Sequence, residues 1–395
     1  MNLAAIDARL GQLNSDWLKS DKYKRLSGVK KSLGTFFQSL PHSPSIKTCE
    51  PQDVLRFLVW KDTFGKTKVH VVSCPFLGDK TKMSCDCPCR LAAASVSNMV
   101  HNLEDIFRQA GRGSFWDVAK CGGNPACAPE IKTYCKQIAL EQAKSHVLPK
   151  QAKPLFLSKV KRISDYIASQ LSRPDLNLKQ RFVLQRDQAF FKLQFFAADR
   201  ASDLASVPVQ EVKRLPDNSG LVFCHTVTKT IRGGKGAANR FVIKRCDDNT
   251  ICPVFALDSY VQWCKDRGVL LSPGYLFRKV ADSGRVLDEP VSYDGMYSRL
   301  KEYLVTLGLY DGETPHGFRA GSSVFMGMSG AVSTPQQMMD HVGWASEETA
   351  LYYTRLQKFK DAAVVADRLA RAVPTAVGLE DIFRKHTDDS LLAAF

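Results

Sequence analysis

Apolar residues recur every three to four positions through most of the chain, the period of helices that bury one face. Leu10, Leu13, Trp17 and Leu18 open the series. The break at Pro41-His-Ser-Pro44 precedes Glu50-Pro-Gln-Asp53, whose proline suits a first helical turn ahead of Val54, Leu55, Phe57 and Leu58. Another helix is predicted from Leu91, with Val96, Val100, Leu103, Ile106 and Phe107 on one face, and a further one from about Pro129 to Ser145. Leu148-Pro-Lys-Gln-Ala-Lys-Pro154 carries little apolar content and reads as an interdomain linker. Helices are then expected around Leu157–Leu171 and, long and apolar, from about Arg181 to Ala198. Residues 219–245 change character. Gly220-Leu-Val-Phe-Cys-His-Thr-Val-Thr228 and Arg240-Phe-Val-Ile-Lys-Arg245 are β-rich runs flanking Gly233-Gly-Lys-Gly236, which predicts a hairpin. Helical spacing returns after Ile251 and ends in Leu379–Phe395.

The pattern therefore gives a mainly α chain with a small β-sheet, an α+β class. A helical domain is expected over residues 1–147, a linker over 148–155, a second domain over 156–373, and a terminal helix over 374–395.

Charge adds a partner to this picture. The net charge is +15, while 44% apolar and 24% charged residues are ordinary for a folded chain. Phosphate-rich nucleic acid suits such an excess, because neutralising phosphates releases counterions. Lys22, Lys24, Arg25, Lys30 and Lys31 form the densest basic stretch. No apolar run approaches the roughly 20 residues of a spanning helix, and Met1 to Ser20 lacks a signal-peptide core. No membrane association is expected, and the 12 cysteines read as reduced thiols or metal ligands of a nuclear or cytoplasmic protein.

Candidate chemistry concentrates in three segments: Pro315-His-Gly-Phe-Arg-Ala-Gly-Ser-Ser323, His341-Val-Gly-Trp-Ala-Ser346 and Leu351-Tyr-Tyr-Thr-Arg355. His316 and Arg319 stand one helical turn apart. Upstream lie Asp199-Arg-Ala-Ser-Asp-Leu204, at the end of the long apolar helix, and Thr228-Lys-Thr230 in the β-rich run. With these residues in this order, the chain over roughly 150–370 resembles the tyrosine recombinase (phage integrase) family. Its pattern matches here at Arg200, with Asp203 as acidic neighbour, and at Lys229, His316, Arg319, Trp344 and Tyr353, nine residues after the tryptophan.

The resemblance implies a helical core-binding domain followed by a catalytic domain, with Tyr353 as nucleophile forming a 3′-phosphotyrosyl bond. Two arginines would hold the non-bridging phosphate oxygens by paired, charge-assisted hydrogen bonds. The indole N–H of Trp344 would add a third donor, His316 would serve as base, and Lys229 as general acid. Lys235, at the hairpin tip, competes with Lys229 for that role and otherwise suits a phosphate contact, as does Arg240. Catalysis needs no cofactor. Duplex DNA and a homotetramer on paired sites are the implied partners, with the terminal helix exchanged between protomers or folded back in cis. For individual residues plainer readings stay open: Arg200 as a cation at a helix C-terminus, Tyr352 and His341 as packing. A DNA-binding protein without catalysis and a type IB topoisomerase-like relaxase are the alternative functions.

Eight of the 12 cysteines fall between Cys49 and Cys135. His70-x3-Cys74-x10-Cys85-x-Cys87 suits a tetrahedral structural zinc site, with Cys89 as substitute ligand and free thiols as the alternative. Cys121, Cys127 and Cys135 read as small helical core residues. This segment looks like the N-terminal domain of Crypton-type mobile-element recombinases.

Overall fold

The computed structural model describes residues 2–77, 85–147, 152–226, 239–332 and 334–344, together with Glu347, Ala350 and Asp367. The chain divides into two compact units, Met1–Gln151 and Ala152–Phe395.

The first unit contains α1 (Leu3–Lys19), α2 (Asp21–Ser39), α3 (Pro51–Asp62), β1 (Thr67–Lys68), β2 (Cys89–Arg90), α4 (Ala93–Gln109), β3 (Trp116–Asp117), β4 (Gly122–Gly123) and α5 (Pro129–Lys144). Its core joins Leu33, Phe36 and Phe37 of α2 to Phe57 of α3 and Leu103 and Phe107 of α4. Phe36 is the hub, with its ring 5.7 Å from Phe57 and 5.2 Å from Trp60. Helix α3 starts on Pro51, and Asp53 accepts the Glu50 backbone N–H at 3.1 Å, satisfying one orphan donor of the first turn. The apolar stripe of α1 differs from its neighbours: Leu3, Leu10 and Leu13 are exposed and no residue of the helix is buried. Cys121 departs from the helical-core expectation. It sits exposed in a turn with φ 46°, while Cys127 lies in a short 3-10 turn and only Cys135 is helical.

The second unit contains α6 (Leu157–Leu171), α7 (Leu178–Phe196), α8 (Ala201–Ala205), β5 (Val212–Arg214), β6 (Gly220–His225), β7 (Asn239–Lys244), α9 (Pro253–Asp266), β8 (Arg278–Val280), β9 (Val286–Pro290), α10 (Tyr293–Thr306), α11 (His316–Ser329) and α12 (Pro335–Val342). Helix α7 is buried on all sides over Ala189–Phe195 and forms the axle of the core. Phe191 stacks on Phe318 of α11 at 5.4 Å, and Phe190 meets Phe277 edge-on at 5.1 Å. The predicted hairpin is present as the antiparallel pair β6–β7 in a β5-β6-β7 sheet. Its alternation sends Leu221, Phe223 and His225 inward, with Phe223 stacked on Phe241.

The expected linker is shorter at its C-terminal side than 148–155. Leu155 is fully buried, and its N–H bonds to the carbonyl of Gly317 at 2.8 Å. Helix α11 approaches this segment through two glycines. A Cβ at Gly321 would lie 1.9 Å from the Leu155 carbonyl oxygen, and one at Gly317 would lie 2.5 Å from that of Lys153. Gly321→Ala is therefore expected to destabilise the second unit by roughly 1–3 kcal/mol. Gly34→Ala, inside α2 with open space around it, should instead stabilise by about 0.5–1 kcal/mol. Urea unfolding of the full chain, followed by circular dichroism, measures both.

Candidate active site and candidate metal centre

The first site is organised by the way α7 ends. Ala198 takes a left-handed conformation (φ 49°), the N–H of Asp199 reaches the Gln194 carbonyl, and the N–H of Ala198 reaches that of Phe195. This is the helix stop usually built on glycine. Carbonyls it leaves over are taken by side chains from elsewhere. Arg319, fully buried on α11, donates to the Ala198 carbonyl at 2.9 Å, and Nε2 of His341 lies 2.8 Å from the Phe196 carbonyl.

Arg200 stands immediately past this stop. It occupies the N-cap position of the short α8 with no side-chain cap bond, between the end of one helix and the start of the next. Its guanidinium is only partly buried and rests on Asp203 at 3.3 Å, the acidic neighbour singled out in the sequence. The Asp199 carboxylate accepts the Arg200 backbone N–H at 2.7 Å.

His316 begins α11, one turn from Arg319 as expected. The loop before it is tied down by the buried Glu313, which pairs with Lys159 and accepts the Asp311 N–H. Burial alone would raise the Glu313 pKa; Lys159 and the backbone donors hold it below its ordinary value. Gln194 adds a bond to the Pro315 carbonyl at 2.9 Å. Trp344 follows the left-handed Gly343 that ends α12, and its ring sits 5.2 Å from the Arg319 guanidinium carbon. Arg200, Arg319 and Trp344 thus stand at the end of α7, and His316 follows Pro315, whose carbonyl Gln194 of α7 holds. Lys229, Lys235, Tyr352 and Tyr353 lie outside the described residues, as does the expected helix 374–395. His341 packs on the edge of Phe241. Arg240 on β7 and the basic residues Lys22, Lys24, Arg25, Lys30 and Lys31 of α2 are exposed, with Lys22 paired to Asp105.

The second site lies in the first unit. Pairing of β1 with β2 sets Lys68 opposite Cys89 and brings His70 and Cys74, after β1, beside Cys85 and Cys87, before β2. Ligand atoms of these four residues all lie within 4.8 Å of one another. Nδ1 of His70 is 3.4 Å from Sγ of both Cys74 and Cys85, near the roughly 3.5 Å edge of a tetrahedron with zinc-type bond lengths. Cys89 is committed to the strand pair and stands outside this set, so it is not the substitute ligand the sequence left open.

Sequence reasoning missed His225 and Asp199. The ring of His225 is buried with Nε2 2.9 Å from Oδ2 of Asp199. The period-two pattern of β6, which turns residue 225 inward, was the available signal.

Residues 18–139 match the model of the ALOG domain. The chain is 34% identical over 127 residues to Protein LIGHT-DEPENDENT SHORT HYPOCOTYLS 5 of Arabidopsis thaliana, covering 31% of this chain and 66% of that protein. It is 30% identical over 131 residues to Protein LIGHT-DEPENDENT SHORT HYPOCOTYLS 6 of the same plant, covering 32% and 63%. The chain spans just under two thirds of the length of these two curated relatives. Its fold is similar to that of the XerH site-specific recombinase in a post-cleavage complex with palindromic difH substrate. The TM-score is 0.54 at 14% identity, over 85% of this chain and 77% of that one. The α+β class expected from the sequence, with core-binding and catalytic folds of the tyrosine recombinase kind, is the observed one.

Arg319→Lys tests the organisation of the first site without DNA. Lysine cannot bond the Ala198 carbonyl and present a flat face to Trp344 together. The second unit should lose about 1–3 kcal/mol, measured by chemical unfolding.

Proposed function

We propose that the chain is a tyrosine recombinase that cuts and rejoins duplex DNA through a 3′-phosphotyrosyl intermediate on Tyr353, for integration or excision of a mobile element. The observation that supports this reading is that Arg200, Arg319 and Trp344 stand at the end of α7, with His316 one turn from Arg319 on α11, in a chain with the recombinase fold. Attack on a phosphodiester builds negative charge on its non-bridging oxygens. Fixed guanidinium groups stabilise that charge best when held in place beforehand, and Arg319 is so held by Ala198 and Trp344. His316 takes the tyrosine proton and Lys229 protonates the leaving 5′-oxygen. The ester bond is conserved in the intermediate, so rejoining needs no nucleotide cofactor. Exposed basic residues of α2 and Arg240 contact phosphates, paired sites assemble a tetramer, and the protein works in the nucleus. His70, Cys74, Cys85 and Cys87 hold a structural zinc ion, which supplies folding energy to the first unit and takes no part in catalysis.

The ALOG match over residues 18–139 favours a second reading, in which the chain binds DNA without cutting it. A nicked substrate that traps the intermediate separates the two. The wild-type chain is expected to form a covalent adduct without Mg²⁺, Tyr352→Phe to retain it, and Tyr353→Phe to bind DNA but form none. Binding with no wild-type adduct would establish the second reading.

Protein purified without chelator should carry about one zinc per chain. Cys74→Ser should lower both the metal content and the stability of the first unit; a metal-free preparation with that unit unchanged would overturn the zinc assignment.

A further inference from the structure

His225 ends β6, and its buried ring, 2% exposed, faces acidic groups from two elements. Nε2 stands 2.9 Å from Oδ2 of Asp199 at the end of α7, and Nδ1 stands 3.8 Å from Oε2 of Glu211, in the 3-10 turn Val209–Glu211. At 2.9 Å the Asp199 contact is an ion pair once the ring is protonated. A neutral imidazole gains little from such an arrangement, whereas an imidazolium between two carboxylates gains in a setting of low dielectric. Burial opposes charging the ring, yet Asp199, then Glu211 and Asp203, outweigh it and raise its pKa. The cations near these acids are Arg200, engaged with Asp203, and Arg319, which donates to the Ala198 carbonyl. The rings of Phe223 and Phe241 complete the pocket, and Phe241 in turn meets the edge of His341.

Both carboxylates have a second task. Asp199 accepts the backbone N–H of Arg200 through its other oxygen at 2.7 Å. Glu211 accepts both the N–H and the hydroxyl of Thr226, the residue that leads into the segment carrying Lys229. The same two acids therefore hold Arg200 and the strand end that precedes Lys229, and His225 joins them.

We propose that His225, as an imidazolium, is a positioning residue: a proton-operated clasp tying the strand that leads to Lys229 to the turn that carries Arg200. This rests on the recombinase reading of Lys229 and Arg200 and adds a control to that site. The folded pKa is raised, so the clasp is fully formed below the ordinary histidine value of 6.5 and is lost as pH rises through the raised value. Above it, the buried Asp199 and the partly buried Glu211 carboxylates face a neutral ring and the strand end loosens. Strand cleavage then falls while DNA affinity stays.

The test is the single-turnover rate of adduct formation on a nicked half-site from about pH 5.5 to 9. Wild type should lose rate through a one-proton step on the alkaline side. His225→Gln should lack that step and be slower at low pH by roughly 10- to 100-fold, with half-site affinity unchanged. Asp199→Asn should move the step to lower pH. If His225→Gln fails to fold, Glu211→Gln should still shift the step downward. Nuclear magnetic resonance titration of labelled histidine reads the ring directly, expecting titration above 6.5 in wild type and a fall in Asp199→Asn. A step retained in His225→Gln, unshifted in Glu211→Gln, or a ring neutral at pH 6.5, overturns the clasp. An absent wild-type adduct at every pH sinks the recombinase reading instead, while the ring titration still reports whether His225 is charged.

Discussion

The bond from Arg319 to the carbonyl of Ala198 is the contact on which the second unit's site depends. A helix cannot satisfy its own last carbonyls, and α7 ends inside the protein where water does not reach every one of them. Bringing Arg319 to this place requires α11 to lie close, and that closeness is possible because Gly317 and Gly321 let it rest on the backbone of 153–155. The stacked rings of Phe191 and Phe318 keep the two helices in register. Arg200, His341 and the His225–Asp199 pair then follow from the same chain reversal. A need for backbone satisfaction thus fixes the side chains of this site.

Cations divide by their surroundings. Those inside are neutralised locally: Arg299 and Arg186 share the buried Asp187, and Lys159 holds Glu313. Those on α2 are exposed and set the field that an approaching polyanion meets. One buried cation escapes this division. Lys192 on α7 has no hydrogen-bond partner for its amine among the described residues, and burial lowers its pKa to about 8.

Much of this was legible in the sequence wherever period and chemistry agreed. The helices from Pro51, Pro129 and Leu157 and the β6–β7 hairpin carry strong local signals, while the His316–Arg319 turn and the grouping of His70, Cys74, Cys85 and Cys87 carry weaker ones. What escaped notice depends on conformation or on contacts distant in the chain. Ala198 occupies a place where glycine would have announced a helix stop, and nothing in the sequence shows that Arg200 takes the N-cap position of a further short helix. The α1 stripe has the spacing of a buried face, but periodicity cannot say whether a partner is present. Cys89 and Cys87 are equivalent by spacing, and only the strand register separates them. His225 is one isolated histidine whose acids come from residues 199 and 211.

The two cores also differ in what they owe to the rest of the chain. That of the first unit is assembled from rings and branched side chains between Leu33 and Ile131. The strand pair bearing its four clustered ligands lies within the same unit. That of the second begins at Leu155 and extends to Phe318. A chain ending after α5 would keep all of the first core, whereas a cut past Leu155 would strip the backbone on which α11 rests. Viewed as inheritance, the fold has one natural seam, and the helical, cysteine-bearing half is the piece that can be passed on alone.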